Sequence, residues 1–417
     1  MASIVAREIL DSRGNPTVAC RVTLKNGLIA EAGVPSGAST GSHEDLELRD
    51  GGKRYGGLGV QKAVSHVNKI LGPALIGWDV TKQREIDGAM LEMDGTENES
   101  KYGANAILSI SLACVHASAL FRRLPLWLSL RETFEFPRQP RLPIPTMNLL
   151  NGGAHADWAM DVQECMIVPK QKTMAERIRA GSETFHALKK LLKEKGLVTS
   201  VGDEGGFAPH FSHTEAAFEI LIDAIKVAGY KPGKEIALAT DVAATEWFNK
   251  KDGVYHPPVE KKKYDASHLL ARYESWCMMY PMESIEDPFA EDDWEAWKKG
   301  MKHLGKKTTI VGDDFFVTNV KRLKRGIEEK AASAILIKFN QSGTFTEAVD
   351  AIIMAHEHKF ATSISHRSGE TADTTIADLA VACGSDYIKT GSLSRSERVE
   401  KYNRLLAIEQ EMKVGLK

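Results

Sequence analysis

Cysteine is scarce and scattered in this chain: Cys20, Cys114, Cys165, Cys277 and Cys383, with no C-x-x-C pair among them. An odd, dispersed set argues against a disulfide framework and for reduced thiols. A charge excess is missing too. Lys plus Arg number 54 and Asp plus Glu 56, so the basic surplus of a general nucleic-acid or membrane-surface binder is absent. The opening residues, Met1 to Glu8, lack the basic start and apolar run of a secretory signal. The most apolar window, residues 104–120, is broken by Asn105, three serines and His116, and reads as too short and too polar to span a bilayer. No G-x-G-x-x-G follows a strand pattern and no G-x-x-x-x-G-K-[ST] occurs, which removes the main support for a nucleotide site. The expectation is a cytoplasmic globular protein whose 417 residues, 43% hydrophobic, suffice for two or three domains.

What is present divides at a proline-rich stretch. Residues before it read as short strands, with Asn26-Gly27 as a hairpin signal, followed by helical patterns near 58–71, 80–93 and 104–122. Phe136 to Pro145 carries four prolines in ten residues and reads as an extended linker. The expected division is an α+β domain at 1–135, a linker at 136–145 and a second domain at 146–417. In the second, apolar runs of strand type alternate with amphipathic helices, two of them opening on the capping boxes Ser212-x-x-Glu215 and Thr344-x-x-Glu347. Such alternation fits a closed (β/α) barrel and equally an open doubly wound sheet.

The chemistry lies in what ends those apolar runs. Asp241, Glu286, Asp313, Lys338, His366 and Lys389 each follow one, at spacings of 45, 27, 25, 28 and 23 residues. Any one of them could simply begin a solvated loop. Six in register would meet at one mouth of a barrel, where active sites are built. Three carboxylates buried together need a counter-ion, and an all-oxygen set suits Mg²⁺ or Mn²⁺ better than Zn²⁺. A lysine beside metal ions and other cations loses its proton more readily, so Lys338 can act as a base toward a carbon acid whose enolate-like charge the metal stabilises. Glu204, in the glycine-flanked loop Gly202-Asp-Glu204-Gly-Gly, is a candidate acid. The small-residue loop Ser36-Gly-Ala-Ser39-Thr-Gly is a candidate lid over the site, expected to span 36–44.

These segments resemble the enolase family nearly end to end. The likeness runs through Asp11-Ser-Arg-Gly-Asn-Pro-Thr-Val18, Ser36 to Glu44, Asn151-Gly-Gly-x-His155, Asp161-x-Gln163-Glu164, Glu286-Asp-Pro, Gly312-Asp-Asp314, Ile337-Lys338-x-Asn-Gln341, Ser365-His-Arg-Ser-Gly-Glu-Thr371, Ile388-Lys-Thr-Gly391 and Arg395-Ser-Glu-Arg398. The resemblance implies an α/β fold: a small α+β domain followed by an eight-stranded α/β barrel whose first units are irregular. It implies reversible dehydration of 2-phosphoglycerate to phosphoenolpyruvate, with Lys338 removing the C2 proton and Glu204, helped by Glu164, protonating the departing C3 hydroxide. A lysine base working with Mg²⁺ is general to that superfamily. It further implies a first Mg²⁺ on Asp241, Glu286 and Asp313, and a second bridging substrate phosphate and Ser39. Arg367 and Ser368 would bind phosphate and Lys389 the carboxylate, with His155, Gln163 and His366 at the substrate edge. A homodimer or a ring of dimers is also implied. Trp158, Phe339 and Ser342 depart from the family's usual residues, none of them at the proposed reaction centre.

Two other readings compete: another superfamily member, such as an acid-sugar dehydratase or racemase, and an adhesion protein that keeps the fold without the chemistry. The first would not require Ser365 to Ser368 or the Glu204 loop, and the second would be expected to lose a reacting residue. Lys261-Lys-Lys263 reads as solvated surface. His356 and His358, two apart on a helix, diverge. His116 reads as a hydrogen-bonded core or interface histidine, and Trp294 and Trp297 as packing on an outer helix.

Overall fold

Period-two alternation builds a three-stranded antiparallel sheet. In the computed structural model, which describes residues 1–37 and 41–415, β1 (Ser3–Leu10), β2 (Pro16–Thr23) and β3 (Ile29–Gly33) pair in that order. Gly27 takes the left-handed conformation in the β2–β3 turn at φ 85°, as an Asn-Gly hairpin requires. Against the sheet lie α1 (Gln61–His66), which opens a helical stretch to residue 74, and the helix Ala104–Arg122, here α3, on which α2 (Gln83–Asp94) packs in turn. Helix α3 packs across β2 and β3. Among the described residues it alone is long and apolar enough to cross a membrane, yet 83% of its apolar window is buried inside the protein. The expectation that this window is too short and too polar is therefore corrected. Its length suffices, and its apolarity on every side is that of a core helix.

Eight strands then close into a barrel in chain order. They are β4 (Ile144–Asn151), β5 (Glu164–Pro169), β6 (Ile236–Asp241), β7 (Met282–Glu286), β8 (Thr309–Gly312), β9 (Ala334–Ile337), β10 (Ala361–Ser365) and β11 (Tyr387–Lys389), with β11 paired back to β4. Closure decides between the barrel and the open sheet. The pairs β4/β5 and β5/β6 are antiparallel and all others parallel, so β5 alone runs against the rest. The first residue of β5 thus shares a rim with the last residues of its neighbours: Asn151 pairs with Glu164, Glu164 with Asp241, and Asp241 with Glu286.

Packing behind that rim holds the strand ends still. Trp297 stacks on Phe315 at 3.9 Å and Trp294 reaches the same ring at 4.4 Å, contacts worth about 0.5–1.5 kcal/mol each beyond burial. Phe316 lies so close to Gly312 that a Cβ there would sit 2.6 Å from its ring, which is why glycine precedes Asp313. The two parts of the chain are bonded to each other. Ser111 Oγ accepts from Phe345 N at 3.0 Å, Asp87 Oδ2 accepts from Thr346 N at 3.1 Å, and His116 Nε2 meets Thr375 Oγ1 at 2.7 Å. The proline-rich stretch forms neither helix nor strand before Ile144 and bends at Pro137 and Arg138, and Arg138 pairs with Asp386 at 2.6 Å.

Of the two expected capping boxes, Thr344 accepts from Glu347 N at 3.2 Å as anticipated. Ser212 does not cap. Its helix starts at Thr214 with His213 as the cap, accepting from Ala216 N at 3.3 Å. Glu215 cannot fold back, because Arg272 and the Trp276 indole hold its carboxylate. His356 and His358 do diverge, to Thr362 Oγ1 and the Met354 carbonyl.

Candidate active site

One cleft at the barrel rim is lined by His155, Gln163, Glu164, Glu204, Lys338, Ser365, His366, Arg367, Ser368 and Lys389. Asp241, Glu286 and Asp313 stand beside it, all buried, with one carboxylate oxygen from each within 4.8 Å of the others. The structure thus brings together every expected site residue except Ser39, which lies outside the described residues. About 10 Å³ of the cleft is free, room for about one water. Lys389 and Lys338 stand in it paired to carboxylates.

Lys389, at the end of β11, is the hub. Its Nζ lies 2.8 Å from Glu164, 3.1 Å from Asp241 and 2.7 Å from Glu286. Burial works against its charge, but Asp241, Glu164 and Glu286 push its pKa well above the ordinary lysine value. Burial raises Glu286 well above the usual carboxylate range, and Asp241 and Asp313 add to this while Lys389 opposes it. Gln163 Nε2 donates to Asp241 at 3.1 Å.

Lys338 follows β9 and pairs with Asp313 Oδ2. Burial alone would raise the Asp313 carboxyl, and Lys338 followed by Lys389 holds it below its usual value. For Lys338, burial, Arg367 and Lys389 favour the neutral amine, and the carboxylates Asp313 and Asp314 keep it protonated. Whatever draws the charge of Asp313 elsewhere leaves influences that mostly deprotonate Lys338.

The acid side is built differently. Glu204 sits in the loop after the helix Met174–Glu194, and Gly205 follows it at φ 85°, where a Cβ would lie 2.4 Å from the Ser394 carbonyl oxygen. Asn148 Nδ2 donates to Glu204 at 2.8 Å, His155 Nδ1 stands 3.3 Å away and His366 Nε2 3.6 Å away. Burial opposes ionisation of Glu204, yet His155 foremost, then His366 and Lys389, holds it well below the usual range. Burial and then the Glu204 charge push Glu164 well above that range. Carboxylate oxygens of Glu164 and Glu204 come within 4.8 Å of each other, so their charges oppose one another and a proton is favoured on Glu164 over Glu204.

The remaining wall belongs to Arg367 and Ser368. Arg367 reaches Asn340 Oδ1 at 2.7 Å and both carboxylate oxygens of Glu44 at 3.2 Å. Arg13 donates to Ser368 Oγ at 3.3 Å. Both flanks of the expected lid are docked on the barrel: Ser36 exchanges backbone bonds with Gly369 at 2.7 and 2.9 Å, and Ser42 is held by Glu291.

Several contributing residues went unassigned in the sequence. Asp287 was visible only as part of a motif. It takes φ 41° and accepts from the backbone N–H groups of Asp313 and Asp314, each at 2.8 Å, fixing the metal-facing turn. Gln341 donates to Asp313 at 3.1 Å. Asn148 and Asn151, both on β4, hold Glu204 and its loop. Their signal was present, since two asparagines in an otherwise apolar strand must find partners.

Three buried carboxylates that offer only oxygen ligands, with too few cations to neutralise the acids around them, fit a hard divalent metal ion. A closed α/β barrel whose rim holds acidic groups able to bind a divalent metal ion, beside a smaller α+β unit, is the arrangement of a lyase of the enolase superfamily. The family models agree: "Enolase, N-terminal domain" matches residues 1–130 and "Enolase, C-terminal TIM barrel domain" matches residues 139–415, so the chain belongs to the enolase family.

Proposed function

We propose that this protein catalyses the reversible, Mg²⁺-dependent dehydration of 2-phospho-D-glycerate to phosphoenolpyruvate, in glycolysis and gluconeogenesis. One observation carries the reading. Around the eight-stranded ring, β9 lies four strands from β5, so Lys338 at the end of β9 faces Glu164 at the start of β5 across the full width of the mouth. A base on one side and a carboxyl pair on the other suit removal of H from one face of a substrate and OH from the other.

In this reading Lys338 Nζ takes the C2 proton, and Glu204 returns a proton, held with Glu164, to the departing C3 hydroxide. Lys389 binds the substrate carboxylate, Arg367 and Ser368 bind the phosphate, and His155, Gln163 and His366 close the edge. Asp241, Glu286 and Asp313 would hold one Mg²⁺, and Ser39 would contribute to a second. Bound there, divalent cations supply positive charge to the carboxylate of the enolate-like transition state. The chain is taken as domains 1–135 and 146–417 joined by 136–145, acting on a small molecule as a cytoplasmic homo-oligomer built from dimers.

The test follows phosphoenolpyruvate by its ultraviolet absorbance, with Mg²⁺ and with chelator. Product with metal and none with chelator is expected; equal rates in both, or no product from 2-phosphoglycerate, would overturn the reading. Lys338→Ala should abolish exchange of the C2 proton with solvent, whereas Glu204→Gln should stop dehydration and leave exchange in place. Full exchange in both variants would show the assignment of base and acid to be wrong.

A further inference from the structure

Beneath the cleft, Arg398 is entirely buried, in the first turn of the helix Ser396–Lys413. Its guanidinium reaches two segments of the site at once. Nη1 lies 2.6 Å from His366 Nδ1 and also donates to the Arg367 carbonyl, while Nη2 donates to the carbonyls of Ser368 and, at 3.1 Å, Asp203. One side chain therefore ties the residue before Glu204 to the run His366 to Ser368.

The first of these contacts has a chemical consequence. A guanidinium in a protein carries N–H donors, no acceptor and no removable proton. The ring nitrogen it faces must therefore offer a lone pair. With Nδ1 so committed, the only ring proton on His366 is on Nε2, which is buried without a hydrogen-bond partner and stands 3.6 Å from Glu204 Oε1, just beyond hydrogen-bond distance.

We propose that Arg398 is a positioning residue for the acid side of the site: it holds His366 as a neutral imidazole with its proton on Nε2, so that Glu204 faces a fixed N–H donor and not a positive charge. The surroundings agree. Burial disfavours the imidazolium, and of the charged groups around the ring only Glu204 favours it, against Arg398, Lys389 and Lys401. An imidazolium here would bind Glu204 as an ion pair and keep it from accepting the proton carried by Glu164. A neutral donor orients the carboxylate and leaves it able to exchange that proton. A lysine could not substitute, because a single ammonium has neither the planar fork nor the reach for a ring nitrogen and three carbonyls together.

This inference rests on the reading of Glu204 as the group that serves the leaving hydroxide, and its test separates the two. The full chain is labelled with ¹⁵N-histidine, and His366 is identified by its absence in His366→Gln. In the unmutated protein the His366 pair should show a protonated Nε2 and an unprotonated Nδ1 from pH 6 to 8. A protonated Nδ1, or titration of the ring in that range, overturns the inference without recourse to any variant. In Arg398→Lys, with folding checked by thermal melting, the ring should populate both tautomers or titrate. The dehydration kcat should then fall on the order of 10- to 100-fold and gain an ionisation absent from the parent, with C2 exchange retained. An equal loss of exchange and dehydration with His366 unchanged would mean that Arg398 only braces the fold, and the inference fails. If the parent chain produces no phosphoenolpyruvate yet shows the locked tautomer, the placement of the His366 proton stands and the functional reading falls.

Discussion

Replacing Lys389 with methionine removes the charge that joins the rim while keeping a side chain of similar length. Three buried carboxylates, at 2.8, 3.1 and 2.7 Å from Nζ, then lose their shared partner, and stripping one partner from a buried ion pair costs roughly 3–5 kcal/mol. An independent bound follows from protonation, because a carboxyl that cannot stay charged takes up a proton instead. For a glutamate with an unfolded pKa of about 4.3, that costs about 1.4 kcal/mol per pH unit above 4.3, or about 4 kcal/mol at pH 7 and about 1 kcal/mol at pH 5. The sign is fixed by direction. Glu164 and Glu286 lie above the usual carboxylate range even with Lys389 present, and losing its charge raises them further, so the variant's added deficit is absent at low pH and grows as pH rises through the parent's own raised pKa. Thermal melting of parent and Lys389→Met at pH 5 and pH 7, in chelator, should show a difference several-fold larger at pH 7. On the order of 2 °C per kcal/mol gives a drop of roughly 8 °C there. A deficit of the same size at both pH values, or none at all, would refute the account of Lys389 as the neutralising hub.

Two more outcomes follow from the same geometry. Mg²⁺ at about 100 times its Kd should stabilise the parent by about 2.7 kcal/mol, and Asp241→Asn should lose most of that shift in a melting assay; an undiminished shift would place the metal elsewhere. Gly205→Ala forces a Cβ to within 2.4 Å of the Ser394 carbonyl at a φ of 85°, which should cost about 1–3 kcal/mol and lower dehydration more than C2 exchange. Unchanged stability and kcat would show that the turn after Glu204 relaxes freely.

The regular part of the site was legible because a parallel strand buried on both faces leaves its chemistry nowhere to go but its end. Asp241, Glu286, Asp313, Lys338, His366 and Lys389 all lie within one residue of a strand terminus. Glu164 escaped that argument and entered only through family resemblance. It opens β5, and the rule that reads strand ends fails when one strand runs backwards. Arg398 was equally silent, since nothing local distinguishes a buried arginine in a first helical turn from its solvated neighbours. The missed cap at Ser212 has the same origin: a pattern four residues long cannot reveal that Arg272, far along the chain, has already claimed Glu215.

The lone reversed strand also splits the catalytic mouth into two architectural styles. Glu164 and Glu204, with Asn148 and Asn151 behind them, come from the hairpin and long connection between residues 144 and 206, whereas Lys338, Arg367, Lys389 and most of the carboxylate cluster come from repeated strand–helix modules. If the proposed reaction holds, grafts that exchange whole modules would transplant Lys338 and its neighbours intact and leave Glu164 and Glu204 untouched, so an engineer seeking a different departing group would recut the front hairpin alone.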